Sequence, residues 1–264
     1  MEYPQFDRYL TWGWTKFPEG RGMGHVKAVV LPSPWLSRRR EQWRRDVDPG
    51  PGWWERECAH DVLLMSNKVY AYPPAPSGGA VSRGDHAAAF AAELKDFVVR
   101  SRSAGVSILH KSFNAPTMKL LAGTLSELRV LGGDRYAHVE QLNKGLSPGL
   151  ISRARLVLWD QPGTGFLECL TSGLPTMVLW SRLYNREAPW SREAFAALER
   201  VGIVHRDADA ALAEFARFKA GPTAWMRDEV RAKAIEAFCL EYALIDDDWR
   251  KSWKRFVREA CSRR

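Results

Sequence analysis

The run from Leu156 to Trp180 constrains this chain more than any other stretch. Leu156-Val157-Leu158-Trp159 reads as an apolar strand ending at Asp160, and Gln161-Pro162-Gly163-Thr164-Gly165 as a tight turn. A short helix from Phe166 to Ser172 follows, then Gly173-Leu174-Pro175, then a second apolar strand from Thr176 to Trp180. Strand, glycine turn, helix and strand in succession make a unit of parallel sheet. Glycines on both sides of Thr164 allow positive φ and a close approach of backbone to a ligand. The helix that follows offers unpaired N–H groups carrying partial positive charge, which suits an anion. A strand–turn–helix also uses glycine with no ligand at all, so the motif alone leaves both readings open.

The same rhythm extends on either side. Strand-like runs at Asp61–Tyr70, Val106–Phe113, Tyr136–Gln141, Leu156–Asp160, Thr176–Trp180 and Ile203–His205 alternate with helical patterns. The helical patterns lie at Asp85–Ala104, Met118–Leu128, Pro148–Ala154, Phe166–Ser172 and Arg192–Arg200. In the first of them Phe90, Leu94, Phe97 and Val98 recur at helical spacing after Asp85, an N-cap residue, and Gly105 ends it. This alternation predicts an α/β fold, a Rossmann-like parallel sheet with helices on both faces. Ligands of such sheets bind beyond the carboxyl ends of the strands at a topological switch point, where the glycine motif falls.

Residues 1–55 read differently, rich in Pro, Gly and Trp, with a strand candidate at Val26–Leu31 and a basic helix candidate at Leu36–Arg45. The turn cluster Asp48-Pro49-Gly50-Pro51-Gly52 separates them from the regular part. The expected organisation is an N-terminal segment over 1–55, a Rossmann-like domain over 56–206 and a helical extension over 207–264. The extension reads as helices at Asp207–Lys219, Thr223–Tyr242 and Asp246–Cys261.

Composition narrows the partners. With 264 residues, 45% of them hydrophobic, the chain can bury a sizeable core. No apolar run reaches the roughly 20 residues that span a bilayer, and the start of the chain lacks a signal peptide's basic and apolar regions, so a cytoplasmic location is expected. Cys58, Cys169, Cys239 and Cys261 are widely spaced, with neither a Cys-x-x-Cys pair nor histidine at ligand spacing, which predicts reduced structural thiols and no metal. The net charge of +8 suits nucleic acid, anionic lipid or a polyanionic donor, but it concentrates at Arg38–Arg45 and Lys251–Arg264 rather than at the glycine motif.

Individual residues carry two readings each. Glu168, about one turn into the helix, either complements the helix dipole or accepts hydrogen bonds from sugar hydroxyls. Lys111, after the strand ending at His110, either reaches a phosphate near Gly163, if the strand ends are neighbours, or is solvated. His110 is either a proton carrier or a partly buried polar residue. Asp160 reads as a turn cap that accepts backbone N–H bonds. Thr11-Trp12-Gly13-Trp14 reads as core packing or as an aromatic platform facing a sugar. The last helix sets Trp249, Trp253, Phe256, Val257 and Ala260 on one broad side among basic residues. It either docks on the protein or lies on an anionic membrane at its inner face.

Gly-Thr-x-Phe-Leu-Glu-x-Leu followed by Gly-Leu-Pro-Thr and an apolar strand resembles the donor-binding half of GT-B-type glycosyltransferases. More narrowly it resembles a family of transferases of bacterial surface-carbohydrate biosynthesis. The likeness continues through Arg186-Glu187-Ala188-Pro189, Val201-Gly202-Ile203-Val204-His205 and, upstream, Leu10-Thr11-Trp12-Gly13-Trp14. The resemblance implies a nucleotide-sugar donor held at Gly163, Thr164 and Gly165, with Glu168 gripping the ribose or the transferred sugar. It implies that Arg186 steadies the departing diphosphate, which Lys111 joins if it reaches the site, with no cofactor or metal, and that the acceptor is a glycan or lipid-linked. Such enzymes carry the general base on an amino-terminal acceptor domain, and residues 1–55 are short for one. A partner chain supplying that domain, or a module that binds donor without turnover, is therefore the first alternative. A nucleic-acid-binding protein is the second, and no recognised motif supports it.

Overall fold

The computed structural model describes residues 8–15, 25–69, 86–139, 145–181 and 187–262. Six strands form one parallel sheet: β3 (His60–Met65), β4 (Ile108–Lys111), β5 (Tyr136–Val139), β6 (Ala154–Trp159), β7 (Thr176–Leu179) and β8 (Val204–His205). A parallel pair, β1 (Arg8–Thr11) and β2 (Lys27–Val30), lies apart from it. The large sheet runs in the order β5-β4-β3-β6-β7-β8 with every pairing parallel. Counted from β3 as the first strand this is 3-2-1-4-5-6, the doubly wound order, whose switch point falls between β3 and β6.

Both faces of the sheet are covered, as period-2 alternation within the strands shows. Val62, Leu64, Ile108, Leu156 and Leu158 enter one core cluster, with Phe97 and Val98 of α3 (His86–Ser103) and Leu125 and Leu128 of α5 (Ala122–Gly132). Leu63, Met65, Leu109 and Val157 enter the other, with Trp43 of α1 (Pro34–Asp46), Ile151 of α6 (Pro148–Ile151) and Cys169 of α7 (Thr164–Ser172). Strands buried on both faces need near-continuous apolar runs, and β3 and β6 have them.

Several expected elements differ in detail. The helix expected over Met118–Leu128 is two, α4 (Ala115–Leu120) and α5, separated at Leu121. That expected over Thr223–Tyr242 is also two, α10 (Pro222–Met226) and α11 (Glu229–Tyr242), because Asp228 turns its carboxylate back to cap the Arg231 N–H at 2.7 Å. The strand expected over Asp61–Tyr70 ends at Met65, and β1 carries no pattern that announces it. Asp85, Tyr70 and Gln141 lie outside the described residues. The remaining helices are α2 (Pro51–Trp54), α8 (Arg192–Arg200), α9 (Ala208–Ala220) and α12 (Trp249–Cys261).

The chain's two ends meet beside the sheet. The Leu244 N–H donates to the Trp12 carbonyl and the Ser33 N–H to the Leu244 carbonyl, both at 2.8 Å. Trp253 of α12 donates its indole N–H to the Pro32 carbonyl at 2.9 Å, and Trp249 donates to Glu41 of α1 at 3.2 Å. The tryptophan edge of α12 thus faces α1. No described helix is long and apolar enough to cross a membrane.

Candidate functional site

Strands β3 and β6 end in register, Met65 beside Trp159. Asp160, the next residue, accepts the Asn67 N–H at 2.6 Å and donates its own N–H to the Met65 carbonyl at 3.3 Å. The amide it caps therefore belongs to the turn after β3, across the switch point. Burial pushes the Asp160 carboxyl up to about 7, with the neighbouring Glu93 carboxylate acting in the same direction.

Beside this junction lies a cavity of about 430 Å³. Lys111, Thr164, Gly165 and Glu168 all line it, together with Ser66 and Trp35 of α1. Lys111 ends β4, one strand removed from β6 across β3, so a long side chain is needed to bring it there. It is 3% exposed, and its Nζ contacts the Ser112 carbonyl at 3.4 Å. Among the described residues no carboxylate forms an ion pair with it, and burial lowers its pKa. A desolvated ammonium of this kind gains strongly from any anion that enters.

The glycines of the motif act for different reasons than the sequence suggests. Neither has positive φ: Gly163, the N-cap of α7, has φ −152°, which is extended. A Cβ at Gly165 would lie 2.1 Å from Cη2 of Trp159, so its bare Cα makes room for that indole. A Cβ at Gly163 would meet nothing within 4 Å. Gly163 alone presents open backbone, next to first-turn amides that lack intrahelical partners.

Glu168 is 5% exposed and already engaged. Its Oε1 accepts Arg39 Nε at 2.8 Å, Arg39 Nη2 at 2.5 Å and the Trp43 indole N–H at 2.8 Å. Arg39 also donates to the Leu146 carbonyl at 3.0 Å and lies 4.8 Å over the Trp43 ring. Among the described residues nothing bonds Oε2, so one oxygen of the carboxylate remains for a ligand donor. Arg39 offsets the negative charge, leaving Lys111 as the uncompensated charge of the cavity. Arg39 and Trp43 were not singled out in the sequence. The signal for them is the spacing Leu36, Arg39, Arg40, Trp43, an i, i+3, i+4, i+7 stripe on a helix otherwise read only as basic.

Arg186 lies outside the described residues. His110 is fully buried, its Nε2 2.7 Å from Ser66 Oγ and its Nδ1 2.7 Å from the Tyr136 hydroxyl. Burial drives its pKa down to about 3, so the ring is neutral and braces strand ends beneath the cavity. Thr11 is fully buried, and Gly13 has φ +126° with the Leu240 and Glu241 carbonyls 2.4 and 2.5 Å from where a Cβ would stand. That part of the Thr-Trp-Gly-Trp motif is packing. Cys58, Cys169, Cys239 and Cys261 are unpaired thiols.

Residues 133–257 match the family described as LIC12162 family transferase. No curated protein sequence matches the chain. Two solved structures are similar in fold at 14% identity. One is UDP-GlcNAc 2-epimerase from Neisseria meningitidis bound to UDP-GlcNAc, with TM-score 0.40, covering 80% of this chain and 53% of that one. The other is Phytolacca americana UGT2 complexed with UDP-2fluoro-glucose and pterostilbene, with TM-score 0.42, covering 97% and 55% respectively. The chain spans about half the length of each. Over 133–257, which takes in the glycine turn, α7 and the clamped Glu168, this chain is thus similar to a transferase family.

Proposed function

We propose that this chain binds a nucleotide-activated sugar in the switch-point cavity and takes part in its transfer to a glycan or lipid-linked acceptor. The observation that carries the reading is the buried Lys111 amine sharing one cavity with the start of α7. An ammonium taken out of water and a row of unpaired amides with partial positive charge both favour a bridging diphosphate. Transfer breaks the bond between the anomeric carbon and the diphosphate oxygen, whose electron pair stays on that oxygen, while the acceptor hydroxyl oxygen bonds to the anomeric carbon and gives its proton to a base that lies elsewhere. Positive groups fixed before the reaction stabilise the charge that forms there. The open Oε2 of Glu168 accepts a hydroxyl of the ribose or of the sugar, while Arg39 holds the carboxylate in place. The match to a transferase family over 133–257, which takes in the start of α7 and Glu168 but not Lys111 or Arg39, supports group transfer rather than storage of the ligand.

Thermal unfolding against a panel of nucleotides, nucleotide sugars and random-sequence nucleic acid tests this. A ligand at 100 times its Kd adds about 2.7 kcal/mol. Selective stabilisation by one nucleotide-sugar class, lost in Lys111→Met, is the expected result. Stabilisation by nucleic acid alone, steeply reduced by salt, would replace this reading with the nucleic-acid one.

A further inference from the structure

On the other flank of the α7 start lies a second cavity, of about 400 Å³, which has Gly163 in its wall. Its lining is aromatic: Trp14, Trp180, Trp190, Phe195 and Tyr242 all contribute. These rings are set by the protein itself. Trp180 meets Phe195 edge to face at 4.9 Å, and the Tyr242 hydroxyl donates to the Trp190 carbonyl at 3.0 Å. Trp190 remains 36% exposed.

One polar feature breaks the apolar lining. The Glu187 carboxylate stands in the wall, held by Arg206 at 2.5 Å. An acyl chain would cover that charged pair with no hydrogen bond in return. A neutral ring with apolar faces and hydroxyls at its edge suits the aromatic walls and can donate to the carboxylate as well.

We propose that this second cavity binds one pyranose ring of a carbohydrate. Gly163 lines this cavity and the adjacent Thr164 the other, so both border the start of α7. A ring held there would stand beside the donor cavity, the place for an acceptor. That acceptor role rests on the donor reading above, whereas binding of the ring itself does not.

Saturation-transfer NMR tests the proposal with the methyl β-glycosides of glucose, galactose and N-acetylglucosamine, and with octanol as an acyl probe. The full chain is compared with Trp190→Ala, Trp190→Phe and Lys111→Met, each checked for folding by circular dichroism. Transfer to ring C–H protons of at least one glycoside is expected in the full chain and in Lys111→Met. Affinity should fall about tenfold in Trp190→Ala and less in Trp190→Phe, since losing an aromatic contact of about 1.4 kcal/mol is a tenfold change. Nucleotide-induced thermal stabilisation should be unchanged in Trp190→Ala. Absence of transfer to all three glycosides, transfer to octanol alone, or equal transfer in Trp190→Ala and the full chain would overturn the proposal. Loss of nucleotide binding in Lys111→Met bears only on the donor site, so the two readings fail separately.

Discussion

Glu168 and Glu214 are each about 5% exposed, each held by an arginine and by a tryptophan indole N–H, and each in the wall of a cavity. They differ in which oxygens the protein uses. Glu214 is occupied at both: Oε1 accepts the Trp225 indole at 2.7 Å and Arg231 at 2.9 Å, and Oε2 accepts Arg217 at 2.8 Å. At Glu168 all three bonds converge on Oε1. Behind Glu214 the backbone is closed as well, since Gly202 at φ +74° would place a Cβ 2.5 Å from its carboxyl carbon. An Arg–Glu–Trp clamp is thus a device for tying helices together. What distinguishes the Glu168 copy is the oxygen left over and the Lys111 ammonium in the same cavity, the two features on which the proposed donor site rests.

The largest effect expected from this comparison is on stability at Glu214. Glu214→Gln places an amide N–H₂ against a donor that the carboxylate accepted and strips the charge from a buried pair, at about 3–5 kcal/mol. Glu168→Gln also strips the charge from a buried pair, with Arg39, but its amide oxygen can keep the three bonds at Oε1 while the N–H₂ turns into the cavity, so its loss should be smaller than that at Glu214 by about 1–3 kcal/mol. Urea unfolding of both variants checks the difference, and equal losses would break the distinction.

The two motif glycines sharpen it next. Gly165→Ala drives a methyl into the Trp159 ring and should cost about 1–3 kcal/mol. Gly163→Ala, at an open N-cap, should cost about 0.5 kcal/mol. If Gly163 faces the ligand, Gly163→Ala should weaken nucleotide-sugar binding more than it weakens folding. The reverse order in denaturant midpoints would show that Gly163, rather than Gly165, is the structural one.

A smaller effect distinguishes the switch-point tie from both clamps. The Asp160 carboxyl is raised from 3.8 to about 7, so between those values the folded chain holds a proton that the unfolded chain has released. Its contribution to stability is full at the acid end of that window and is lost as pH rises through about 7. Asp160→Asn should flatten that part of the stability–pH curve relative to the unaltered chain, and an unchanged curve would remove the burial assigned to Asp160.

Much of the sheet was legible because doubly buried strands need near-continuous apolar runs, and β3, β6 and β7 carry them. Helix breaks at Leu121 and Asp228 were hidden, since Leu121 is itself apolar and continues the pattern, and the cap formed by the Asp228 side chain leaves no gap in it. The start of α7 and Lys111 were named as candidates from local chemistry, and the structure brings them to one cavity. Arg39 and Trp43 were not found because their partner lies more than a hundred residues away in sequence, and a buried arginine on a basic helix looks like its solvated neighbours. β1 was missed for a related reason: four residues paired with a distant strand carry too short a pattern to read. Gly163 and Gly165 lack the positive φ expected of both, and they differ from each other, because a sequence shows that glycine is present but not which neighbour forbids a Cβ.

The central claim is that Lys111 and the start of α7 hold a diphosphate. Titration calorimetry of the stabilising nucleotide sugar into the unaltered chain, Lys111→Met and Glu168→Gln tests it most directly. The account predicts saturable binding to the unaltered chain, at least tenfold weaker in Lys111→Met, about 1.4 kcal/mol, while Lys111→Met folds with equal or greater stability because a buried unpaired charge is gone. Glu168→Gln should weaken binding less. Undiminished binding to a folded Lys111→Met, or no binding of any nucleotide sugar to the unaltered chain, would contradict it.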